Sequence, residues 1–160
     1  MKYIEAPNDY LLKGNELSLF VAGGITGTRQ WQKEFVKMLS DLDITIFNPR
    51  RENFDVSDTT AAEKQIKWEF EALEDASYIS FWFSHETLQP ITLYELGRWS
   101  TSEKPVLVGC DPKYPRLQDV KIQMSLARPD MVVVDSLEKL AGQVRETFLK
   151  DFVHNKFPKS

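Results

Sequence analysis

The sequence predicts one α/β domain in which a parallel β-sheet lies between two layers of helices. Short, nearly continuous apolar runs recur along the chain, and a segment with helical periodicity follows most of them. Strands that are apolar on both sides are typical of parallel sheets buried between helices. The chain has 160 residues, of which 42% are hydrophobic and 28% are charged, which suits a single globular domain.

Five apolar runs are predicted to be strands, at residues 17–22, 44–47, 78–83, 105–109 and 131–134. Apolar residues at helical spacing predict helices at about 28–41 and 60–74. A third helix is expected around Glu95. A last long helix is expected from Ser136, whose hydroxyl suits an N-cap.

Five β-α units of this size favour a flavodoxin-like, Rossmann-like three-layer sandwich with the strand order 2-1-3-4-5 and right-handed crossovers. We expect residues 1–160 to form one domain with its core at about 17–152. The first dozen residues and the end from His154 are expected to be loosely held tails.

Composition narrows the class of function. The net charge of −4 gives no basic surface for a nucleic acid polymer. Cys110 is the single cysteine and the two histidines, His85 and His154, are far apart, so neither an internal disulfide nor a metal site is expected. The start of the chain lacks an apolar signal core and no stretch has membrane-spanning length. We therefore expect a cytoplasmic protein without membrane contact.

His85 follows the third predicted strand and is a lesser candidate for an acid or base.

Glu95 is the strongest candidate for a catalytic residue. It follows the strand predicted at 78–83 and is expected in the first turn of the next helix. Ligands of open α/β sheets bind at the carboxyl ends of the strands, and a helix start favours an ionised carboxylate. Such a carboxylate suits covalent catalysis at a sugar carbon. The alternative is that Glu95 merely complements the dipole of its helix.

Glu69 is the second candidate, because it shares a helical stripe with Ala62, Ile66 and Leu73. Burying an unpaired carboxylate is costly. Glu69 should therefore either line a cavity or pair with an arginine of the segment 48–53.

Further candidates lie near the same predicted sheet edge. Gly23 and Gly24 follow the first strand, where glycine allows a ligand close to the backbone; a tight turn explains them equally well. Asn48 and Arg50 follow the second strand, and Arg50, like Arg51, is suited to a carboxylate or phosphate. The tryptophans and Phe83 form either the wall of a pocket for a flat ring or plain core.

Five segments taken together resemble the nucleoside 2-deoxyribosyltransferase-like family, and most closely its small bacterial and phage members. They are AGGI (22–25), NPRR (48–51), QIKWE (65–69), FWF (81–83) and PITLYELG (90–97). The resemblance implies a flavodoxin-like fold and cleavage of the N-glycosidic bond of 2′-deoxynucleosides. It also implies a homo-oligomer in which a neighbouring subunit helps to close the site, and no metal or organic cofactor.

The resemblance also assigns roles to residues. Glu95 matches the nucleophile, and Glu69 falls where family members place an acidic residue near the base. Substrate-binding residues are expected to be Gly23, Gly24, Ile25, Asn48, Arg50, Trp68, Phe83 and Thr92. Phe20 stands where characterised transferases carry a tyrosine that contacts the nucleophile, and residues 84–89 lack an aspartate found in some of them.

Three functions remain open at this point. The first is transfer of deoxyribose from a deoxynucleoside to a free nucleobase. The second is hydrolysis of a 2′-deoxynucleoside 5′-monophosphate, which needs phosphate donors such as Arg50, Arg51 or the turn 23–28. The third is a nucleotide-binding module without catalysis. The stretch 119–126 is the expected subunit interface.

Overall fold

The computed structural model describes residues 1–52 and 59–156, and five strands in these ranges form one parallel sheet. The strands are β1 (Lys2–Glu5), β2 (Ser18–Gly23), β3 (Thr45–Asn48), β4 (Tyr78–Phe83) and β5 (Val106–Cys110). The helices are α1 (Trp31–Met38), α2 (Ala61–Asp75), α3 (Pro90–Ser100), α4 (Leu117–Ala127) and α5 (Leu137–Lys156). The strand order is β1-β3-β2-β4-β5.

The sheet is covered on both faces, as predicted for a flavodoxin-like sandwich. Along β2, Leu19 and Val21 pack with α1 and α5, whereas Phe20 and Ala22 pack with α2, α3 and α4. Every residue of β4 and β5 is buried. Two apolar cores therefore lie one on each side of the sheet, which confirms the predicted fold class.

The predicted order of the first four apolar runs is correct, but both sheet edges differ from the prediction. Lys2–Glu5 forms an edge strand in register with Thr45–Asn48, so the expectation of a loosely held start is wrong for these residues. Ile4 explains this pairing, because its side chain is buried in the core. The expected fifth strand at 131–134 makes a single bridge, between Val134 and Gly109. The segment pairs at its last residue because the chain enters it from a turn, in which Met131 N donates to the Arg128 carbonyl.

The topology places a crevice beside β2. This strand pairs with β3 on one side and β4 on the other, and the helices that follow β2 and β3 lie on opposite faces of the sheet. The strand order therefore reverses at β2. Such a reversal leaves an opening at the carboxyl ends of the strands, where ligands bind in open α/β sheets.

Candidate active site

A cavity of about 350 Å³ opens at this reversal point, a size typical of small-molecule sites. Its wall consists of residues 22–26 at the end of β2 and directly after it, residues 87–92 around the start of α3, and Phe20, Pro49, Glu69 and Glu95. The cavity thus brings together six of the predicted site residues, namely Gly23, Gly24, Ile25, Glu69, Thr92 and Glu95.

The two carboxyl groups in this cavity, Glu69 and Glu95, come from different helices. Burial and, to a smaller extent, the charge of Glu69 raise the pKa of Glu95 to about 8, although the charge of Arg98 acts against both. Burial also raises the pKa of Glu69, although a hydrogen bond from Gln65 and the charge of Arg51 both act to lower it. Two buried carboxyl groups that repel each other resist losing both protons. The pair therefore retains a proton near neutral pH.

Two expectations about these residues are wrong. Glu95 lies in the second turn of α3, not the first, so the helix start does not hold it ionised. Glu69 does not share a buried stripe with Ala62 and Ile66, which are both exposed. The buried face of α2 is formed instead by Ala61, Trp68, Ala72 and Leu73. Glu69 lies at the border of that face, where it reaches the cavity.

Gly23 and Gly24 form the part of the wall where no side chain fits. A Cβ on Gly23 would lie 2.3 Å from the Trp31 ring, and a Cβ on Gly24 would lie 2.8 Å from Gln89 and Thr28. The Gly24 carbonyl accepts hydrogen bonds from Thr28 Oγ1, Trp31 Nε1 and Gln32 Nε2 at 2.8–3.0 Å. The turn is therefore rigid before any ligand arrives.

Gln89 was missed in the sequence although it lines the cavity. Its backbone is left-handed, with φ 51° and ψ 57°, and its side chain is buried. Its Oε1 accepts from Gly24 N at 2.7 Å, and its Nε2 donates to the Ser84 carbonyl and hydroxyl. Gln89 thus joins the loops after β2 and β4 at the start of α3. The one local signal was the following Pro90, which disfavours helical backbone at position 89.

The other four predicted binding residues do not line the cavity. The Arg50 guanidinium donates to the carbonyls of Thr28 and Arg29 and to Gln32 Oε1. Asn48 bonds Tyr3 and the backbone of Arg50. Trp68 Nε1 donates to the Asn8 carbonyl, and Phe83 is fully buried against Tyr114. Each of the four therefore stabilises the loops or core around the cavity.

Two lesser candidates are also placed outside the cavity wall. Arg51 donates to the Ala61 carbonyl at the start of α2 and acts on Glu69 through its charge. His85 Nδ1 lies 2.8 Å from Asp111 Oδ2 on the exposed side of the loop after β4. Neither residue is part of the wall formed by the described residues.

The cavity wall carries two carboxyl groups and no lysine, arginine or histidine among the residues that the structure describes. At its mouth, Leu88 and Ile91 are more than half exposed. No cluster of three metal-binding side chains occurs within residues 1–52 and 59–156. None of the described helices combines the length and apolarity needed to cross a bilayer.

The family model described as nucleoside 2-deoxyribosyltransferase like matches residues 16–114, which is more than half of the chain. A solved structure, a conserved protein from Enterococcus faecalis V583, is similar with a TM-score of 0.59 and 14% identity; the match covers 82% of this chain and 99% of that one. At this identity the structural likeness shows the fold alone. No curated protein matches the chain.

Proposed function

Because the chain belongs to the nucleoside 2-deoxyribosyltransferase-like family, we propose that it cleaves the N-glycosidic bond of 2′-deoxynucleosides and transfers the deoxyribose to another nucleobase. The observation that carries the proposal is the pair of carboxyl groups, Glu69 and Glu95, in one cavity at the carboxyl edge of the sheet. Two carboxyl groups with raised pKa values supply the nucleophile and the acid that glycoside cleavage requires.

In the proposed reaction, Glu95 attacks C1′ of the sugar and forms a covalent glycosyl-enzyme. Glu69 donates its proton to the departing base, which leaves as a neutral molecule. A second base then attacks C1′, and Glu69 takes up the proton that this base releases. Two displacements at C1′ retain the configuration of the product. No step in this scheme needs a metal or an organic cofactor.

The proposed substrate is an uncharged nucleoside rather than a 5′-monophosphate. A phosphate group needs cationic or N–H donors. The guanidinium of Arg50 is engaged by the turn at residues 28–32, and the Gly24 N–H already donates to Gln89. The carboxyl pair of the described wall would repel a phosphate through whichever group is ionised. These arrangements support the nucleoside over the nucleotide.

Hydrolysis is the second candidate outcome. The cavity mouth between Leu88 and Ile91 is open in the single chain, and Phe20 lines the cavity without offering a hydroxyl. Water that reaches the glycosyl-enzyme would release free deoxyribose. Transfer requires that the mouth be closed when the second base is bound.

We further propose that the chain acts as a homo-oligomer with an interface beside this mouth. The helices that carry Glu69 and Glu95, α2 and α3, also expose large apolar side chains, namely Ile66, Phe70, Ile91 and Tyr94. In the stretch 119–126, Val120 and Met124 pack into the core of their own chain, whereas Ile122 and Leu126 are exposed. Both surfaces are available to a second copy.

The test is an incubation of the protein with the four deoxynucleosides and their monophosphates, with and without free adenine or cytosine, followed by chromatography. Base exchange with nucleosides supports the transferase, and base release without exchange supports the hydrolase. Glu95→Gln and Glu95→Ala are both expected to abolish turnover. Unchanged substrates in every mixture, or activity above a few per cent in both variants, would contradict the proposal.

A further inference from the structure

Gln65 lies on α2 one turn before Glu69, and its amide nitrogen donates to two acceptors. One is Glu69 Oε1 at 2.6 Å, and the other is the Pro49 carbonyl at 2.7 Å. The bond to Pro49 fixes the amide against the loop after β3, so its second N–H keeps a constant direction toward Glu69. A donor held in this way favours the ionised form of the carboxyl group that accepts from it.

The other end of this amide has no hydrogen-bond partner among the described residues. Gln65 Oε1 is buried and accepts no hydrogen bond from the described part of the chain. A buried unpaired acceptor lowers stability, and an apolar side chain of the same length would avoid that loss. The donor end accounts for the amide, because it joins Glu69 to the Pro49 carbonyl.

The surroundings of Glu95 are different. No described residue donates a hydrogen bond to its carboxyl group. The charged groups that act on the pair are Arg51, on the side of Glu69, and Arg98, on the side of Glu95. The wall segments after β2 and β4 add no charged side chain. Each carboxyl group thus has one arginine, and the fixed donor of Gln65 is the feature that distinguishes them.

We propose that Gln65 holds the negative charge of the pair on Glu69 and thereby leaves the shared proton on Glu95 in the ligand-free protein. This arrangement is the reverse of what the proposed reaction needs, because attack requires ionised Glu95 and base departure requires protonated Glu69. Substrate binding must therefore move one proton from a Glu95 oxygen to a Glu69 oxygen before attack. The pair keeps a single proton throughout this step, and no outside acid or base is consumed.

Gln65 is thus a positioning residue that keeps the nucleophile protonated until substrate is bound. This role rests on the proposed function, but the placement of the proton in the free protein does not. The proposed function and the proton placement are therefore tested by different measurements.

The proton placement is tested by carbon-13 NMR of protein labelled at the glutamate carboxyl carbon, titrated over pH. Glu69→Gln and Glu95→Gln assign the two signals. In the unsubstituted protein Glu69 is expected to lose its proton at lower pH than Glu95. Gln65→Met removes the donor, and it is expected to raise the midpoint of the Glu69 titration by about one pH unit. Its melting temperature reports separately on the structural contact that is also lost, the hydrogen bond to the Pro49 carbonyl.

Gln143→Met is the matched control. Gln143 Nε2 donates to the Val132 carbonyl at 2.9 Å, and its buried Oε1 accepts no hydrogen bond from residues 1–52 and 59–156. Gln143 lies on α5, however, on the other face of the sheet. This control should leave both carboxyl midpoints unchanged. Gln65→Leu provides a second donor-free variant should the methionine variant not fold.

The proposal is overturned if Glu95 titrates before Glu69, or if the donor-free variants leave the Glu69 midpoint in place. A protein that shows the expected titrations but cleaves no nucleoside would refute the proposed function and keep the proton placement. A protein that cleaves nucleosides while Gln65→Met changes neither midpoint would refute this inference alone.

Discussion

Replacing Glu95 by glutamine removes an ionisable group from a buried position while keeping its size. The pKa of Glu95 is raised from 4.5 to about 8, first by burial and then by the charge of Glu69. The folded protein thus binds the Glu95 proton more tightly than the unfolded chain does. A raised pKa contributes stability that is complete below pH 4.5 and is lost as pH rises through the folded value.

The size of this effect follows from the two pKa values. At about 1.4 kcal/mol per pKa unit, the free energy of unfolding is lowered by about 3 kcal/mol at pH 7 and about 4 kcal/mol at pH 8, because the unfolded chain releases the Glu95 proton that the folded protein retains. Glutamine does not ionise. Glu95→Gln should therefore be as stable as the parent near pH 4.5 and more stable by these amounts at higher pH. For a domain of this length, about 3 kcal/mol corresponds to about 6–12 °C in melting temperature.

Urea unfolding and thermal melting of both proteins between pH 4.5 and 8.5 test this expectation. Glu103→Gln is a suitable control, because Glu103 is exposed in the loop between α3 and β5 and its replacement should shift neither curve. A raised Glu95 pKa is refuted if the stability difference between Glu95→Gln and the parent stays constant across this range. It is also refuted if the variant is less stable than the parent at pH 8.

Three further predictions concern the site and its assembly. Glu69→Gln should slow reaction with natural bases by about 10²–10⁴-fold, as expected for loss of a general acid. The same variant should react almost normally with a nitrophenyl deoxyriboside, whose leaving group departs without a proton, and equal losses on both substrates would indicate a structural role. Gln89→Gly relieves the left-handed backbone but breaks the bonds to Gly24 and Ser84, so urea unfolding should show a net loss of about 1–2 kcal/mol and kinetics a raised KM; an unchanged KM would count against a role in shaping the cavity. Light scattering at micromolar concentration should give the mass of an oligomer, and a fully active monomer would rule out the proposed interface.

The parts of the fold that the sequence predicted are those whose strands are buried on both faces. Residues 78–83 and 106–110 are apolar almost throughout and lie in the sheet as expected. The edge strand Lys2–Glu5 was missed because Ile4 is its one buried residue, and its pairing with β3 depends on a partner distant in the chain. The run 131–134 was overpredicted because apolar composition does not show whether a segment runs along its neighbour for more than one bridge.

The sequence predicted the cavity residues that carry a local signal and missed those that do not. Glycines after a strand and a carboxyl group near a helix start leave local signals, so Gly23, Gly24 and Glu95 were found. Gln65 and Gln89 leave almost none. Their importance comes from what their amides contact, namely Glu69 and Pro49 for one and Gly24 and Ser84 for the other. Arg50 was predicted to bind substrate because its guanidinium suits an anion. In the structure this guanidinium donates to the carbonyls of Thr28 and Arg29 and so stabilises a turn.

The ionisation of Glu95 depends on magnitudes that the sequence does not contain. A helix start stabilises a carboxylate by about 1 kcal/mol or less, whereas a pKa near 8 corresponds to about 5 kcal/mol against ionisation. Burial and the neighbouring Glu69 therefore outweigh any help from the helix. A sugar that develops positive charge at C1′ reverses this balance, because an ionised Glu95 then faces a cation in a cavity that screens charge poorly. The burial that makes the carboxylate costly in the empty cavity thus strengthens its attraction to the transition state.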